Sequence, residues 1–311
     1  MQLKTQRHVY FILSHTNVAQ LVRLVGVIRE LSPTSLVLIH HDGSKTALPP
    51  DSFGEDHHVL VIERWLRAGW GQFSLVDIVR AGLAELRDRN IAYEWIVLLS
   101  GMDYPIRPLR DFEEALETCG DGMLYHDPEP GQLLDRYRFA WYRLPRFLEN
   151  GLTHRMIGRL AALNRRQNVL RFQSGRVGCR IGIRSTRSPL PDGMRFYKGT
   201  QWWALSAAAI RHAERFMAEH PGYVRWFARR TLVPDEAFFH TMLLNARHLS
   251  FRNNDGRFVR FATPTSASPE TLRADDVPEV LRSGRYFARK FDVSVDARPL
   301  DELDAVLLAR S

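Results

Sequence analysis

The sequence predicts an α/β protein built on a mostly parallel sheet with helices on its faces, and three observations carry that prediction. Short apolar runs alternate with stretches of helical spacing through the N-terminal third, the pattern of repeated strand–helix units. The runs end on small and polar residues, where ligands sit in such sheets. The 311 residues are 45% hydrophobic and 11% aromatic, ample material for a core and unlike a disordered chain.

Taken in order, residues 8–15 (HVYFILSH) form a buried-strand run, and 18–31 (VAQLVRLVGVIREL) place apolar residues at helical spacing. Residues 35–42 (SLVLIHHD) and 57–63 (HHVLVIE) are further strands. Residues 74–89 form a second amphipathic helix, and 94–101 (EWIVLLSG) a strand closing on glycine. The polar residues after these strands are Ser14-His15-Thr16, His41-Asp42-Gly43-Ser44 and Ser100-Gly101-Met102-Asp103. Residues 150–191 break the pattern: nine arginines and no Asp or Glu, with Met156, Leu160, Leu163 and Leu170 at roughly helical spacing. This reads as a basic amphipathic insertion. The α/β pattern resumes at 201–206 (QWWALS), with helices from about 207, from 223 to about 230 and near 269–283. The polar loop 252–256 leads into RFVRF, and YFARKFD (286–292) completes the pattern.

Net charge is +8 and the isoelectric point 9.8, which favours anionic partners without choosing among nucleic acid, phosphorylated ligands and acidic membranes. The two cysteines, Cys119 and Cys179, form neither a disulfide framework nor a zinc-ligand spacing and fit a reducing cytoplasm. The N-terminal apolar run is too short for a signal-peptide core or a membrane span, and no other window approaches ~18 apolar residues. The expectation is a cytoplasmic chain, at most peripheral at the inner face of the membrane. There is no GxGxxG, GxxxxGK[ST], HExxH or GxSxG, nor a recognisable nucleic-acid module, so the readings those motifs carry fall away.

Several segments carry chemistry. VPDEAFFHT (233–241) sets Asp235 and Glu236 against aromatic residues. Read locally, Asp235 caps a helix and Glu236 sits in its first turn. Read functionally, Glu236 is a general base, with burial raising its pKa and the helix N-terminus opposing that rise. HHDGS (40–44) suits a ribose or base, or is an Asx turn. Asp103 lies beyond a buried strand, in a loop pinned by two prolines. Trp202 and Trp203 suit sugar faces, or are core. Lys290 suits a diphosphate, or is one of a solvated basic pair; Arg257 and Arg260 are similar.

In order, LSHTN (13–17), IHHDGS (39–44), WGQFSLV (70–76), LLSGMDYPI (98–106), KGTQWWALS (198–206), VPDEAFFHT (233–241) and FARKFD (287–292) resemble the core-2/I-branching β-1,6-N-acetylglucosaminyltransferase and peptide O-xylosyltransferase family (glycosyltransferase family 14). The resemblance implies a GT-A-like fold: a Rossmann-like, mostly parallel central sheet flanked by helices, here with a basic helical insertion. It implies one glycosyltransferase domain over 1–311, with 1–130 the nucleotide-binding half, 150–191 the insertion, and 192–311 the acceptor and catalytic half with the diphosphate-binding segment. It implies inverting, metal-independent transfer from a UDP-sugar, UDP-GlcNAc or UDP-xylose, to a hydroxyl of a saccharide, glycolipid or peptide. Glu236 takes the place of the general base and Lys290 that of a diphosphate ligand. Arg257, with Arg260 as fallback, takes that of the second cation. His15 and Asp42 fall on the nucleoside pocket; Asp103, Gln201, Trp202 and Trp203 are read as the sugar pocket. No metal, cofactor or nucleic acid is expected.

Gln201 stands where the xylosyltransferase pattern has an acid, which tells against a literal peptide O-xylosyltransferase. The insertion matches no motif of the family; it is read as a solvated face, a membrane contact or the seat of an anionic acceptor. Two other functions fit the same residues. One is a non-catalytic protein that binds polyanions or saccharides, and the other a sugar-nucleotide hydrolase.

Overall fold

A computed structural model describes residues 6–185, 188–263, 266 and 268–309. Its central sheet has six strands in the order β3-β2-β1-β4-β10-β6. These are β1 (Gln6–Ser14), β2 (Leu36–His41), β3 (Val59–Val61), β4 (Tyr93–Ser100), β6 (Gly122–Met123) and β10 (Ala204–Ser206). The first four run parallel, whereas β10 pairs antiparallel with both β4 and β6. This is the predicted class, a mostly parallel sheet between helical layers.

The uninterrupted apolar runs have a simple cause. Val9, Phe11 and Leu13 face one hydrophobic cluster while Tyr10 and Ile12 face another, so both sides of the strand are covered and neither position tolerates a polar residue. On the first side pack α2 (Ser74–Asp88), α6 (Ala207–Glu219), α7 (Pro221–Arg230) and α8 (Phe238–Leu244). On the second pack α1 (Val18–Leu31), α3 (Leu109–Glu117), α9 (Val277–Arg282) and α10 (Arg298–Leu308). Gly82 in α2 lies so close to the Phe11 ring that a Cβ there would strike it, so the glycine sets the helix-to-sheet distance. The expected helix near 269–283 shortens to a 3-10 turn at 274–276 followed by α9. Helices α3 and α10 complete this layer. Part of what fixes α10 is Asp304, which accepts from both Tyr104 and Arg23.

A second sheet, β11-β12-β5, joins β5 (Asp103–Pro105), β11 (Arg257–Val259) and β12 (Phe287–Arg289). It carries the 286–292 segment alongside residues 102–106, with Phe291 N–H donating to the Met102 carbonyl at 3.0 Å.

The insertion corrects the sequence reading. It is not helical throughout: α5 (Gly151–Leu160) and a 3-10 turn are followed by β8 (Leu170–Gln173) and β9 (Arg180–Arg184). These strands join β7 (Phe139–Arg143), just after the four-residue α4 (Asp135–Arg138), in an antiparallel sheet ordered β7-β9-β8. The signal was present in Arg180-Ile181-Gly182-Ile183-Arg184, a period-2 alternation obscured by the arginines. The small sheet begins at 139, ahead of the expected boundary at 150. Arg187 of the basic stretch lies outside the described residues.

Candidate active site

The PDE segment is a single 3-10 turn, Pro234–Glu236, entered through Val233 in the left-handed region (φ 49°, ψ 56°). A β-branched residue there is strained by about 1–3 kcal/mol and persists only where its surroundings hold it. Here Val233 N–H donates to Gly71 O at 3.3 Å, and its carbonyl accepts from Tyr137 Oη at 3.3 Å. Its side chain is buried with Phe139, Trp141 and Leu232.

The turn presents the Glu236 carboxylate, 28% exposed, to two cations: Arg136 Nη1 at 3.0 Å and Lys198 Nζ at 3.7 Å from Oε2. Helix α4 places Arg136, and the Arg136 carbonyl accepts from Leu232 N–H. Lys198 sits beside Gly199, whose N–H donates to the Glu236 carbonyl at 2.7 Å. A Cβ at Gly199 would strike the Tyr125 carbonyl and the buried His240 ring, so only glycine lets the two segments meet. Burial, with His126 and Lys198 nearby, drives the His240 pKa down to about 3, and the ring is neutral.

Asp235 does not cap. Neither the 3-10 turn nor α8 receives a capping bond from a side chain, and Asp235 Oδ1 is buried without a hydrogen-bond partner. Burial and the neighbouring Glu236 carboxylate push its pKa up to about 7. The two adjacent acids are therefore unlike: Glu236 reaches toward solvent between cations, and Asp235, itself partly exposed, turns one carboxyl oxygen inward.

A second cluster gathers at the far ends of β4 and β12 around Asp103, which is fully buried. Its Oδ2 accepts from Ser100 N–H at 3.0 Å and Arg257 Nε at 3.3 Å, and its Oδ1 lies 3.3 Å from Arg289 Nη1. Arg257, with 1% of its side chain exposed, also donates to the carbonyls of Leu98 and Asp255. Arg289 lies over the Trp202 ring at 4.3 Å. Burial lowers the Arg289 pKa, and Asp103 opposes that fall.

Lys290 follows β12; burial would raise the nearby Asp292 carboxyl, but donors from Ser294 and Asn17 outweigh it and hold the pKa below its ordinary value, with Lys290 adding to the lowering. Among the described residues no carboxylate forms an ion pair with the Lys290 ammonium. Asn17 Nδ2 donates to Asp292 Oδ1 at 2.7 Å, linking this segment to the end of β1. There, Ser14 Oγ and His41 Nδ1 are 2.8 Å apart. His15 is half-buried, its pKa lowered by burial and by Lys45, with Asp42 opposing. Burial would raise the Asp42 carboxyl, but donors from Ser44 and Ala68 outweigh it.

The strap 198–202 spans the two clusters. Lys198 and Gly199 hold Glu236, Thr200 Oγ1 donates to Asp255 Oδ2 at 3.1 Å, and Trp202 receives Arg289.

Measured against the sequence reading, Glu236, Lys290, Trp202, His15 and Gln201 each keep some exposure. Three assignments change. Asp103 has no exposed surface and ties two arginines together instead of facing a sugar. Trp203, 1% exposed, is core and packs against Phe239 at 5.6 Å. Arg260 is held by Glu270, Asp276 and Glu279, three carboxylates within 3.3 Å, and offers no free cation. Arg257 is in the cluster but committed to protein partners, and Asp42 closes the 66–68 loop through Ala68 N–H at 2.8 Å. Arg136, Lys198 and Arg289 were missed. Lys198 and Arg289 stand inside quoted motifs, and only Arg136 lacked any local signal. No group of three or more His, Cys, Asp or Glu that could hold a metal occurs among the described residues. Nor is any helix among them long and apolar enough to cross a membrane.

The family model for the Core-2/I-branching enzyme matches residues 9–281. The chain is similar to beta-glucuronosyltransferase GlcAT14A of Arabidopsis thaliana, 30% identical over 77% of this chain and 48% of that protein. It is similar to xylosyltransferase oxt of Drosophila pseudoobscura pseudoobscura, 28% identical over 76% of this chain and 26% of that protein. It is also similar to xylosyltransferase 1 of Rattus norvegicus, 22% identical over 82% of this chain and 30% of that protein. The chain thus spans less than half the length of each of these relatives.

Proposed function

Because the chain belongs to the Core-2/I-branching enzyme family, we propose that it is a glycosyltransferase that moves a sugar from a UDP-sugar to an acceptor hydroxyl with inversion. Glu236 takes the hydroxyl proton as the acceptor oxygen forms its bond to C1. The C1–phosphate bond breaks on the opposite face, and its electron pair leaves with UDP. One carboxylate suffices, since no second acid has to protonate a diphosphate leaving group. Arg136 and Lys198 fix the carboxylate's position, which a proton transfer at hydrogen-bond reach requires.

The leaving diphosphate gains charge, and fixed cations there are worth several kcal/mol. Lys290 meets that charge directly, with Arg289 and Arg257 behind it in the Asp103 cluster. This revises the role of Arg257 from direct ligand to support, and drops Arg260. With Lys290 as the direct ligand and two guanidiniums behind it, the reaction proceeds without a divalent metal. The names of the relatives carry glucuronic acid and xylose, so the donor lies among UDP-glucuronic acid, UDP-xylose and UDP-GlcNAc. The acceptor is a saccharide, glycolipid or peptide.

The observation that carries the reading is the Glu236 carboxylate, partly exposed on a strained turn and gripped by Arg136 and Lys198. Glu236→Gln should retain UDP binding in a thermal-shift assay and lose transfer by ~10²–10⁴-fold. Turnover near wild type in that variant sinks the assignment. Full activity in excess EDTA is the matching result for metal independence. Release of free sugar without acceptor would identify a hydrolase. Tight, salt-sensitive polyanion binding without turnover would identify a binding protein.

A further inference from the structure

Helix α5 is amphipathic in an unusual sense. Asn150 caps it, accepting from Leu152 and Thr153 N–H, and its inward side is Ile157, 2% exposed, with His154 held 2.9 Å from Ser174 Oγ. The opposite side is not polar. Leu152 is 71% exposed and Met156, one turn on, 53%. Phe147, in the turn before the helix, is 82% exposed, and Leu163 beyond its end is 40% exposed. Arg155 and Arg159 share that stripe at helical spacing, and Arg165 and Arg166 follow; all four are exposed. No acid occurs from 150 to 191, and the adjacent Glu149 is taken by Arg143 at 2.9 Å.

Large apolar side chains this exposed, set among arginines that form no ion pair among the described residues, distinguish among the three readings of the basic stretch. A solvated face needs the charges but not the Phe, Leu and Met side chains. An anionic saccharide would use the arginines and leave the apolar groups in water. A bilayer with acidic headgroups satisfies both: its acyl boundary takes the apolar side chains and its phosphates take the guanidiniums.

We propose that the α5 face of the insertion, led by Phe147, Leu152 and Met156 and flanked by Arg155, Arg159, Arg165 and Arg166, docks on an anionic lipid surface. The surface is separate from the catalytic carboxylate but mechanically continuous with it. Strand β7 contributes Phe139 and Trp141 to the cluster that buries Val233, and Val177 of the insertion packs against the same cluster. Docking therefore sets the orientation of the Glu236 turn relative to the membrane.

The test is co-sedimentation of the full chain with phosphatidylcholine vesicles, with and without phosphatidylglycerol, at low and high salt. Wild type should pellet with the anionic vesicles at least ~10-fold more than with neutral ones. Salt should weaken that binding without abolishing it, since salt screens only the electrostatic part. The double variant Phe147→Glu/Leu152→Glu should stay in the supernatant at both salts. Arg155→Ala/Arg159→Ala should lose mainly the salt-sensitive part. All four residues are exposed, and an unchanged thermal midpoint confirms that each variant folds. Absence of wild-type binding overturns the proposal. So does a glutamate variant that pellets like wild type, leaving a face that binds polyanions through charge alone. A wild-type dimer in light scattering that Phe147→Glu turns into a monomer overturns it as well, because a second copy then covers the face.

Discussion

The two poles of the site are built on inverted charge patterns. At one, a carboxylate, Glu236, is gripped by two cations, Arg136 and Lys198. At the other, a carboxylate, Asp103, grips two cations, Arg257 and Arg289. Exposure separates them: Glu236 keeps 28% of its side chain in contact with solvent and Asp103 none. A partly exposed acid can meet a substrate, and the ion pairs that aim it add little to stability. A buried acid cannot meet one, and removing it strands two guanidiniums in the interior.

Substitution at the two acids should therefore give opposite results. Asp103→Ala should cost ~3–5 kcal/mol of folding stability, the usual effect of uncovering buried charge, visible as a large drop in the urea midpoint. Glu236→Gln should cost under ~1 kcal/mol of stability, leaving that midpoint almost in place, while transfer falls by ~10²–10⁴-fold. If both variants unfold alike, exposure does not divide the roles of the two acids.

Asp235 sharpens the contrast within the Glu236 pole. Its folded-state pKa is about 7 against an ordinary 3.8, so between those pH values the folded protein holds a proton that the unfolded chain has released. Stability attributable to this group is therefore lost as pH rises from about 4 through about 7, and the penalty is complete above that window. Asp235→Asn removes the charge at nearly constant volume. The variant should match wild type near pH 4 and exceed it at pH 8 by on the order of 2–4 kcal/mol. Parallel stability–pH curves would show that Asp235 is not held protonated.

The same contrast explains what could be read in advance. Strand ends and the turn acids were legible because each lies within one segment: a buried parallel strand is an apolar run, and PDE is three consecutive residues. The Asp103–Arg257 pair joins residues 154 apart, and Arg136–Glu236 residues 100 apart. Such pairs depend on how strands and loops stack, which no local pattern encodes. Trp203 illustrates the same limit. Both neighbouring tryptophans at the entry to β10 meet the same hydrophobic cluster, Trp203 within it and Trp202 at its edge beneath Arg289, and only the register with β4, where the Trp203 carbonyl accepts from Leu98 N–H at 2.9 Å, decides which one is fully core. The insertion failed for another reason: arginines on both flanks of a short apolar alternation hid its period.

Arg136 gives the finest test of the comparison. It is 32% exposed, lies 3.0 Å from Glu236 and arrives from α4, the helix that leads into the insertion's sheet. As a partly exposed pair it should be worth no more than ~1 kcal/mol of stability, so Arg136→Ala should leave the urea midpoint almost unmoved. Its effect belongs in turnover. With one of two grips gone, the Glu236 carboxylate samples positions away from the acceptor hydroxyl, and kcat should fall by ~10–100-fold. The UDP-sugar KM should hold, because the proposed diphosphate ligand, Lys290, lies beside the other pole. Arg136→Lys, which keeps the charge but not the reach of the guanidinium, should recover part of the loss. A rise in donor KM with kcat unchanged would place Arg136 at the diphosphate and dissolve the division between the poles.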